Sequence, residues 1–553
     1  MTSPRTSISR TDRLSVRCVL AFILSALFAS ASLLPGAAAK ANDPVADPPT
    51  PFTYYRAPET LTYDELLALD GPSGPRPTLL PKVNALLTTP FISNEAYRGD
   101  VPPSFAAGGK IGPFVRVGFW NVQRGFHMDK MKLAIESPEE FLRQLKPGHS
   151  AVRRRDIVEE LEALRSVDVL VLNEADLGLK RTEYRDVTRE MAAALKMNYV
   201  YGVEFLEIDP LNLGTEEFKE ETSNREKARL KQLVEVDRDR YLGLHGTAIL
   251  SRFPIRTARL VPLKYQPYDW YSKEKKRLSI AESARRTLGK IAFMQDVPRE
   301  IRHGGRMVLL AELHVPELPG ETLTVVATHL EDRCKPSERR RQAKEVLSII
   351  KGIKGPVVLA GDFNTSGLNN EPTSIRNEIM KRVKDKTFWA KRGLKFLMPL
   401  GPAFDFLLEV VSYARTMNDP TAKGVLFFAP NNEAGFFKDL EAFRFDDGYR
   451  FDFRGDASRT VNGTEGTLAN SNQRGITKGF RTTRSAPRTF WSVGKNKLDW
   501  IFVKAYAKEP RGKKEPYRLA PHFPRTLEKL NNALSVRLSD HNPITVDLPI
   551  NEP

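Results

Sequence analysis

Short apolar runs recur along this chain, and most stop at a polar residue able to do chemistry. The run at 357–360 ends at Gly361–Asp362, with Asn364 two residues on. The run at 115–120 ends at Asn121, the run at 167–172 at Asn173–Glu174, and the run at 323–328 at His329. A run at 497–503 carries Asp499 near its start, and Ser539–Asp540–His541 lead into a last one at 544–548. Runs this short and this apolar predict buried strands. Further strands are expected at 199–203 and 248–250, and 307–315 should pair antiparallel with 323–328 through Pro319–Gly320. Helices are expected at 61–69, 81–87, 139–145, 152–165, 182–195, 336–350 and 404–413; in the fourth, Ile157, Leu161 and Leu164 recur at helical spacing. Residues 216–240 mix both charges and read as a solvated helix or loop, 264–305 read as irregular and basic, and 368–490 show no clean alternation. Within that last stretch, 462–485 reads as a long surface loop.

Composition changes the picture at the N-terminus. Arg5, Arg10, Arg13 and Arg17 precede an apolar run at 19–34, and small residues follow at Ala37–Ala39 and Ala41. That order is the order of a secretory signal, so residues 1–39 are expected to be a cleaved leader and the mature protein to be exported, periplasmic or secreted. An uncleaved anchor is the alternative, but the run is short for a membrane span, and no later stretch is long and apolar enough for one. Residues 40–110 read as an N-terminal extension with a linker at 42–51, and 111–550 as one catalytic domain with insertions near 206–240 and 368–490.

The formal net charge is +17; without the leader's four arginines and one aspartate it becomes +14. A surplus of that size suits polyanionic partners, although a basic surface kept for solubility is an equal reading. Of two cysteines, Cys18 lies in the leader and Cys334 is left alone, so a mature chain has no intrachain disulfide and Cys334 reads as packing. A monomer is expected.

The polar residues at the run ends form a chemical set. Glu174 and Asp540 are hard oxygen ligands with Asn121 as a neutral helper, which suits Mg2+ or Mn2+, with Ca2+ as a third candidate, better than zinc. His329 and His541 can donate to a phosphate or move protons near neutral pH, and Asp499 is the type of residue that orients an imidazole. A cation, amides and imidazoles around one anion suit water attack on a phosphoester. An isolated acid after a strand is usually a cap, so the weight lies in the set.

The ordered motifs also resemble a family, the endonuclease/exonuclease/phosphatase superfamily with the pancreatic deoxyribonuclease fold. They are GFWNVQRG at 118–125, VLVLNEAD at 169–176, HGTAILSRFPI at 245–255, VVATHLED at 325–332, VVLAGDFNTSG at 357–367, KLDWIFVK at 497–504 and LSDHNPITVDL at 538–548. The resemblance implies an α/β fold, a four-layer sandwich of two mixed β-sheets packed face to face with helices outside. It implies Glu174 as principal metal ligand, with Asn121 and Asp540 in the same metal neighbourhood. It implies that Asp362 positions or activates the attacking water, that Asn364 holds the phosphate, and that His541 with Asp499 is general base or phosphate ligand. His329 matches the second histidine of the deoxyribonuclease, sphingomyelinase and deadenylase branches and argues against the abasic-site endonuclease branch.

His245 departs from the pattern, standing where relatives often carry a small or amide residue; it touches substrate or caps the strand. Residues 474–497 hold seven Lys/Arg and no acid, with Phe480, Phe490 and Trp491 among them, so this loop can track a phosphate backbone and Arg484 and Arg488 are candidate substrate contacts. The reading is an exported, divalent-metal-dependent phosphoester hydrolase, a nuclease-like phosphodiesterase. The alternatives are a sphingomyelinase-like phospholipid phosphodiesterase, a phosphomonoesterase, or an inactive binding module of the same fold.

Overall fold

The computed structural model describes residues 52–69, 76–96, 106–107, 111–208, 236–275, 301–368, 370, 417–422, 431–453, 471–475, 479–485, 495–505 and 519–551, all within the unit Pro51–Pro553. The leader at 1–39, the linker at 42–51, the helix expected at 404–413, most of 216–240 and part of the 462–485 loop lie outside them. Among the described residues no helix is long and apolar enough to cross a membrane.

Two sheets dominate. The first runs β1 (Tyr55–Arg56), β2 (Phe91–Ser93), β6 (Asn198–Ile208), β7 (Leu244–Ser251), β5 (Val169–Leu177), β4 (Pro113–Arg124), β17 (Ile544–Pro549), β16 (His522–Thr526). Beside this path β3 (Ala106–Ala107) pairs with β4, and β9 (Ile301–Gly304) with β6. The second runs β15 (Asp499–Lys504), β12 (Val357–Asp362), β11 (Thr322–His329), β10 (Met307–His314), β8 (Ile255–Pro262). A two-residue pair, β13 (Arg484–Ser485) and β14 (Lys495–Asn496), stands apart. Both large sheets are mixed: β4 with β5 and β11 with β12 are parallel, and their other pairings are antiparallel.

Alternation along each strand sorts side chains into layers. Val115, Val117 and Phe119 of β4 and Val169 and Val171 of β5 meet Val325, Ala327, Val358 and Ala360 of the second sheet in one core between the sheets. Their neighbours point the other way. Trp120, Val122, Leu170 and Leu172 pack against residues of α1 (Tyr63–Ala68), α2 (Leu80–Thr88), α3 (Met128–Glu136), α4 (Pro138–Arg143), α5 (Ala151–Arg165) and α6 (Val187–Leu195). On the far side Val326, Val357 and Leu359 pack against α8 (Pro336–Ile350) and α9 (Ala434–Ala442), where α7 is the short helix Trp270–Lys275. The result is helix, sheet, sheet, helix, the four-layer α/β sandwich expected. Each parallel pair requires a helical crossover, supplied by α3–α5 for the first and α8 for the second.

Local differences have local causes. The helix expected over 182–195 starts at Val187, because Glu183 and Tyr184 adopt positive φ and the Asp186 carboxylate caps the Arg189 amide. Residues 264–305, read as irregular, contain α7 and β9. Strand β8 was not legible as a run, since Arg256 and Arg259 interrupt its apolar residues. Strand β6 runs on to Ile208, past the expected end at 203, because Glu204 and Glu207 are buried against arginines.

Candidate active site

Strand direction gathers the polar residues at one rim. Asn121, Glu174, His329 and Asp362 lie at or near the C-terminal ends of β4, β5, β11 and β12. The antiparallel neighbours contribute their beginnings: Asp499 opens β15 opposite Asp362, His245 stands near the start of β7 opposite Asp176, and Asp540–His541 precede β17. The parallel register sets His329 beside Asp362 and Asn121 beside Asn173.

Bulges re-aim the first-sheet residues. The β4–β5 register shifts between Asn121 and Arg124, and the β5–β7 register between Leu172 and Ala175. Gln123, Arg124, Glu174 and Asn364 all have φ between 49° and 65°. Left-handed backbone at four non-glycine residues is strain held by its surroundings. Gly361 lies inside β12, where a Cβ would come 2.0 Å from the Thr328 carbonyl oxygen, so the glycine serves close strand approach.

Three groups converge on one atom, Oδ2 of Asp362. Asn121 Nδ2 donates to it at 3.2 Å, and His541 Nε2 and His329 Nε2 lie 3.8 and 3.9 Å away. The same Asn121 amide donates to Glu174 Oε1 at 3.0 Å, so one side chain spans both carboxylates. Asn173 closes the seam between the sheets: its Oδ1 accepts the Asp362 amide at 2.8 Å, and its Nδ2 donates to Thr247. His541 Nδ1 donates to both oxygens of fully buried Asp499, at 3.0 and 2.9 Å. Asn364 is fixed at both ends, its backbone amide donating to Asp362 Oδ1 and its side-chain amide to the Leu330 carbonyl, each at 2.9 Å. The Asp540 amide donates to Gln123 Oε1, and Arg484 Nε lies 3.6 Å from the Asp540 carboxylate with its side chain 41% exposed.

Burial and neighbouring charge then divide the titrating groups. Burial and the Asp499 charge push Asp362 up to about 7, against the pull of His541 and the Asn364 amide. Burial alone would raise Glu174, yet Arg124, His245, the Asn121 hydrogen bond and His541 together hold it down to about 2. Burial opposes charge on His541, but Asp499, Asp540 and Asp362 raise it to about 10. His329 goes the other way, well below the ordinary histidine range, because burial is reinforced by Arg306 and the other imidazoles.

The structure thus brings Asn121, Glu174, His329, Asp362, Asn364, Asp499 and His541 together, with Asp540 and Arg484 beside them. His245 is buried, and its Nδ1 donates to Asp176 at 2.7 Å; Asp176 in turn holds Arg181. Arg488, Phe490 and Trp491 lie outside the described residues. Cys334 is buried with its thiol on the Glu331 carbonyl, and burial pushes it up to about 12, as packing requires. Sequence reasoning missed Asn173, Arg124, Glu204 and Arg306. Asn173 and Arg124 lay inside quoted motifs, and a polar residue at the end of an apolar run was the signal for the first. Glu204 and Arg306 carried none.

The donors also indicate what cation would fit. Among the described residues, Asp362, Asp499 and His541 offer ligand atoms within 4.8 Å of one another, although Asp499 and His541 already bond to each other. Glu174 joins through Asn121, whose oxygen accepts the Gln123 amide. Carboxylate oxygens, one of them firmly ionised, and no thiolate fit a hard divalent ion.

A four-layer sandwich with acids, amides and paired imidazoles on one rim defines a phosphoester hydrolase. The chain belongs to the endonuclease/exonuclease/phosphatase family, whose model matches residues 118–541. No curated protein matches. Similar solved structures include an endonuclease/exonuclease/phosphatase from Beutenbergia cavernae DSM 12333, 15% identical over 79% of this chain and 72% of that one, with a TM-score of 0.34. The 3'-5' exonuclease NExo from Neisseria meningitidis is 13% identical over 78% and 99%, with a TM-score of 0.34. The mannosyl-6-phosphatase Bt3783 of Bacteroides thetaiotaomicron is 12% identical over 78% and 99%, with a TM-score of 0.31.

Proposed function

We propose that this protein is an exported, divalent-metal-dependent phosphodiesterase with nuclease-like activity. The observation that carries the reading is the meeting of Asn121, His329 and His541 on one oxygen of Asp362, with Glu174 on the far side of the same Asn121 amide. Glu174, with Asn121 and Asp540 near it, would hold Mg2+ or Mn2+; such an ion supplies charge neutralisation at the phosphate and a more acidic water.

The chain's own groups do the rest. Asp362 positions the attacking water, and Asn121 holds its carboxylate against Glu174. His541, charged and oriented by Asp499, donates from Nε2 to a phosphate oxygen. His329, kept neutral, offers a second imidazole nitrogen on the opposite side of Asp362. Asn364 holds the phosphate, and Arg484 meets the substrate's negative charge beyond Asp540. The basic composition and the 474–497 loop support a nucleic-acid substrate, and the arginines before an apolar run at 19–34 support export.

One panel tests this. The purified protein is assayed on plasmid DNA, RNA, sphingomyelin and bis-nitrophenyl phosphate with Mg2+, Mn2+ or Ca2+, and with chelator. Cleavage of nucleic acid that chelator abolishes and salt weakens steeply is the expected result. Cleavage of sphingomyelin alone moves the substrate to lipid, and no cleavage of any substrate sinks the proposal.

A further inference from the structure

The loop that carries Asn364 is gripped by a segment with no place in the seven motifs. Glu433, fully buried, accepts the Gly367 amide on Oε1 at 3.1 Å, and the neighbouring Asn432 donates from Nδ2 to the Gly367 carbonyl at 3.0 Å. Both polar groups of one peptide residue are thus held by two successive side chains. Arg339 on α8 donates to the same Glu433 oxygen at 2.7 Å and reaches the Leu368 carbonyl at 3.4 Å. From the same segment Phe436 packs on Phe363, the residue between Asp362 and Asn364, with ring centres 5.8 Å apart.

This grip is poorly explained as stabilisation. A buried ion pair seldom outweighs its desolvation cost. Here Glu433 Oε2 and Arg339 Nε are both buried without a hydrogen-bond partner among the described residues, which adds to that cost. The loop, however, needs restraint. Asn364 sits at φ 50° and Gly367 at φ 70°, and the left-handed asparagine relaxes unless its surroundings over-determine it.

We infer that Asn432 and Glu433 form a clamp that positions Asn364 for phosphate binding, with Glu433 as the principal positioning residue. This rests on the reading of Asn364 as the phosphate-holding group. The insertion that contains the clamp is therefore part of the catalytic apparatus without touching substrate.

The test is a double-mutant cycle on bis-nitrophenyl phosphate hydrolysis with Mn2+. Asn432→Ala removes one bond from an exposed side chain and leaves no buried charge behind; Glu433→Gln keeps an acceptor for Gly367 and removes the negative charge that pairs with Arg339. Each is expected to lower kcat about 10-fold with thermal stability measured alongside, the scale usual for outer-shell groups. In an Asn364→Ala background each should cost less than about 2-fold, because the clamp acts through Asn364. Asp439→Asn, which loosens the Arg340 pairing between α9 and α8, should leave kcat unchanged. Equal losses in both backgrounds, or lower melting temperature with unchanged kcat, overturn the clamp. If Asn364→Ala alone leaves kcat intact, the premise about Asn364 fails, which the single variant reveals separately.

Discussion

Two histidines face one oxygen of Asp362 from nearly the same distance, yet the fold gives them opposite charge preferences. His541 holds a carboxylate of its own: Asp499 is fully buried, lies 2.9 Å from Nδ1, and has no arginine competing for it among the contacts described. His329 has Glu204 at 3.7 Å, too far for a hydrogen bond, and its Nδ1 has no hydrogen-bond partner among the described residues. Arg306 has taken that carboxylate at 2.9 Å, while Thr247 donates to its other oxygen. Two similar imidazole–acid pairs in one cleft thus become a cation and a neutral ring. What decides is which cation owns the acid behind the ring.

The largest effect should come from removing the owned acid. Asp499→Asn is expected to lower kcat by roughly 10²–10⁴-fold, the usual worth of a positioned acid–base group, and to bring the His541 titration down by NMR. A retained rate would mean the dyad is structural. Next comes freeing the contested acid. Arg306→Gln leaves Glu204 and Glu331 buried without their shared cation and should cost about 3–5 kcal/mol in chemical denaturation. The same variant should let His329 titrate closer to the ordinary histidine range. Unchanged stability with an unmoved His329 would refute the ownership argument.

A buried acid with no imidazole near it sharpens the comparison. Burial lifts Asp168 to about 6, partly offset by the Arg116 amide and by Arg252 and Arg116. The folded state therefore binds this proton more tightly than the unfolded chain. Its contribution is full below about 3.8 and is lost as pH rises through about 6, a change of no more than about 3 kcal/mol. Asp168→Asn should flatten the denaturation free energy across that window; an unchanged slope assigns the pH dependence elsewhere. The smallest effect concerns the seam. Asn173→Ala strands the buried Asp362 amide and should cost about 1–3 kcal/mol, with a fall in kcat as Asp362 drifts from its two rings. A stability loss with no change in rate would mean the seam does not set that geometry.

These contrasts explain which parts of the site were legible in the sequence. Asn121, Glu174, His329, Asp362, Asn364, Asp499 and His541 each mark the end or start of an apolar run, and run ends fall at a sheet rim whatever the rest of the chain does. The four-layer order followed from the motifs. Asn173 looked like a strand terminator because its partner, the Asp362 amide, is far away in sequence. Glu204 and Arg306 are intelligible only as a pair: Glu204 interrupts an apolar run and Arg306 precedes one, as surface residues would. The helix Ala434–Ala442 was missed because Phe436 and Phe437 bury against Phe363 and Trp500, contacts that no local periodicity displays. The bulges that turn Glu174 inward are likewise visible only across a ladder.

Strand β17 lies between β4 and β16, so a segment near the far end of the chain completes the sheet that β4 begins. The pairing Ile544 with Phe119 spans more than four hundred residues, and His541 comes just before it. During synthesis, the early strands therefore emerge long before the partner that joins them, and the nascent chain carries an unfinished edge throughout. The rim that His541 joins cannot assemble until β17 has been made, so a nascent chain without it lacks part of the set gathered around Asp362.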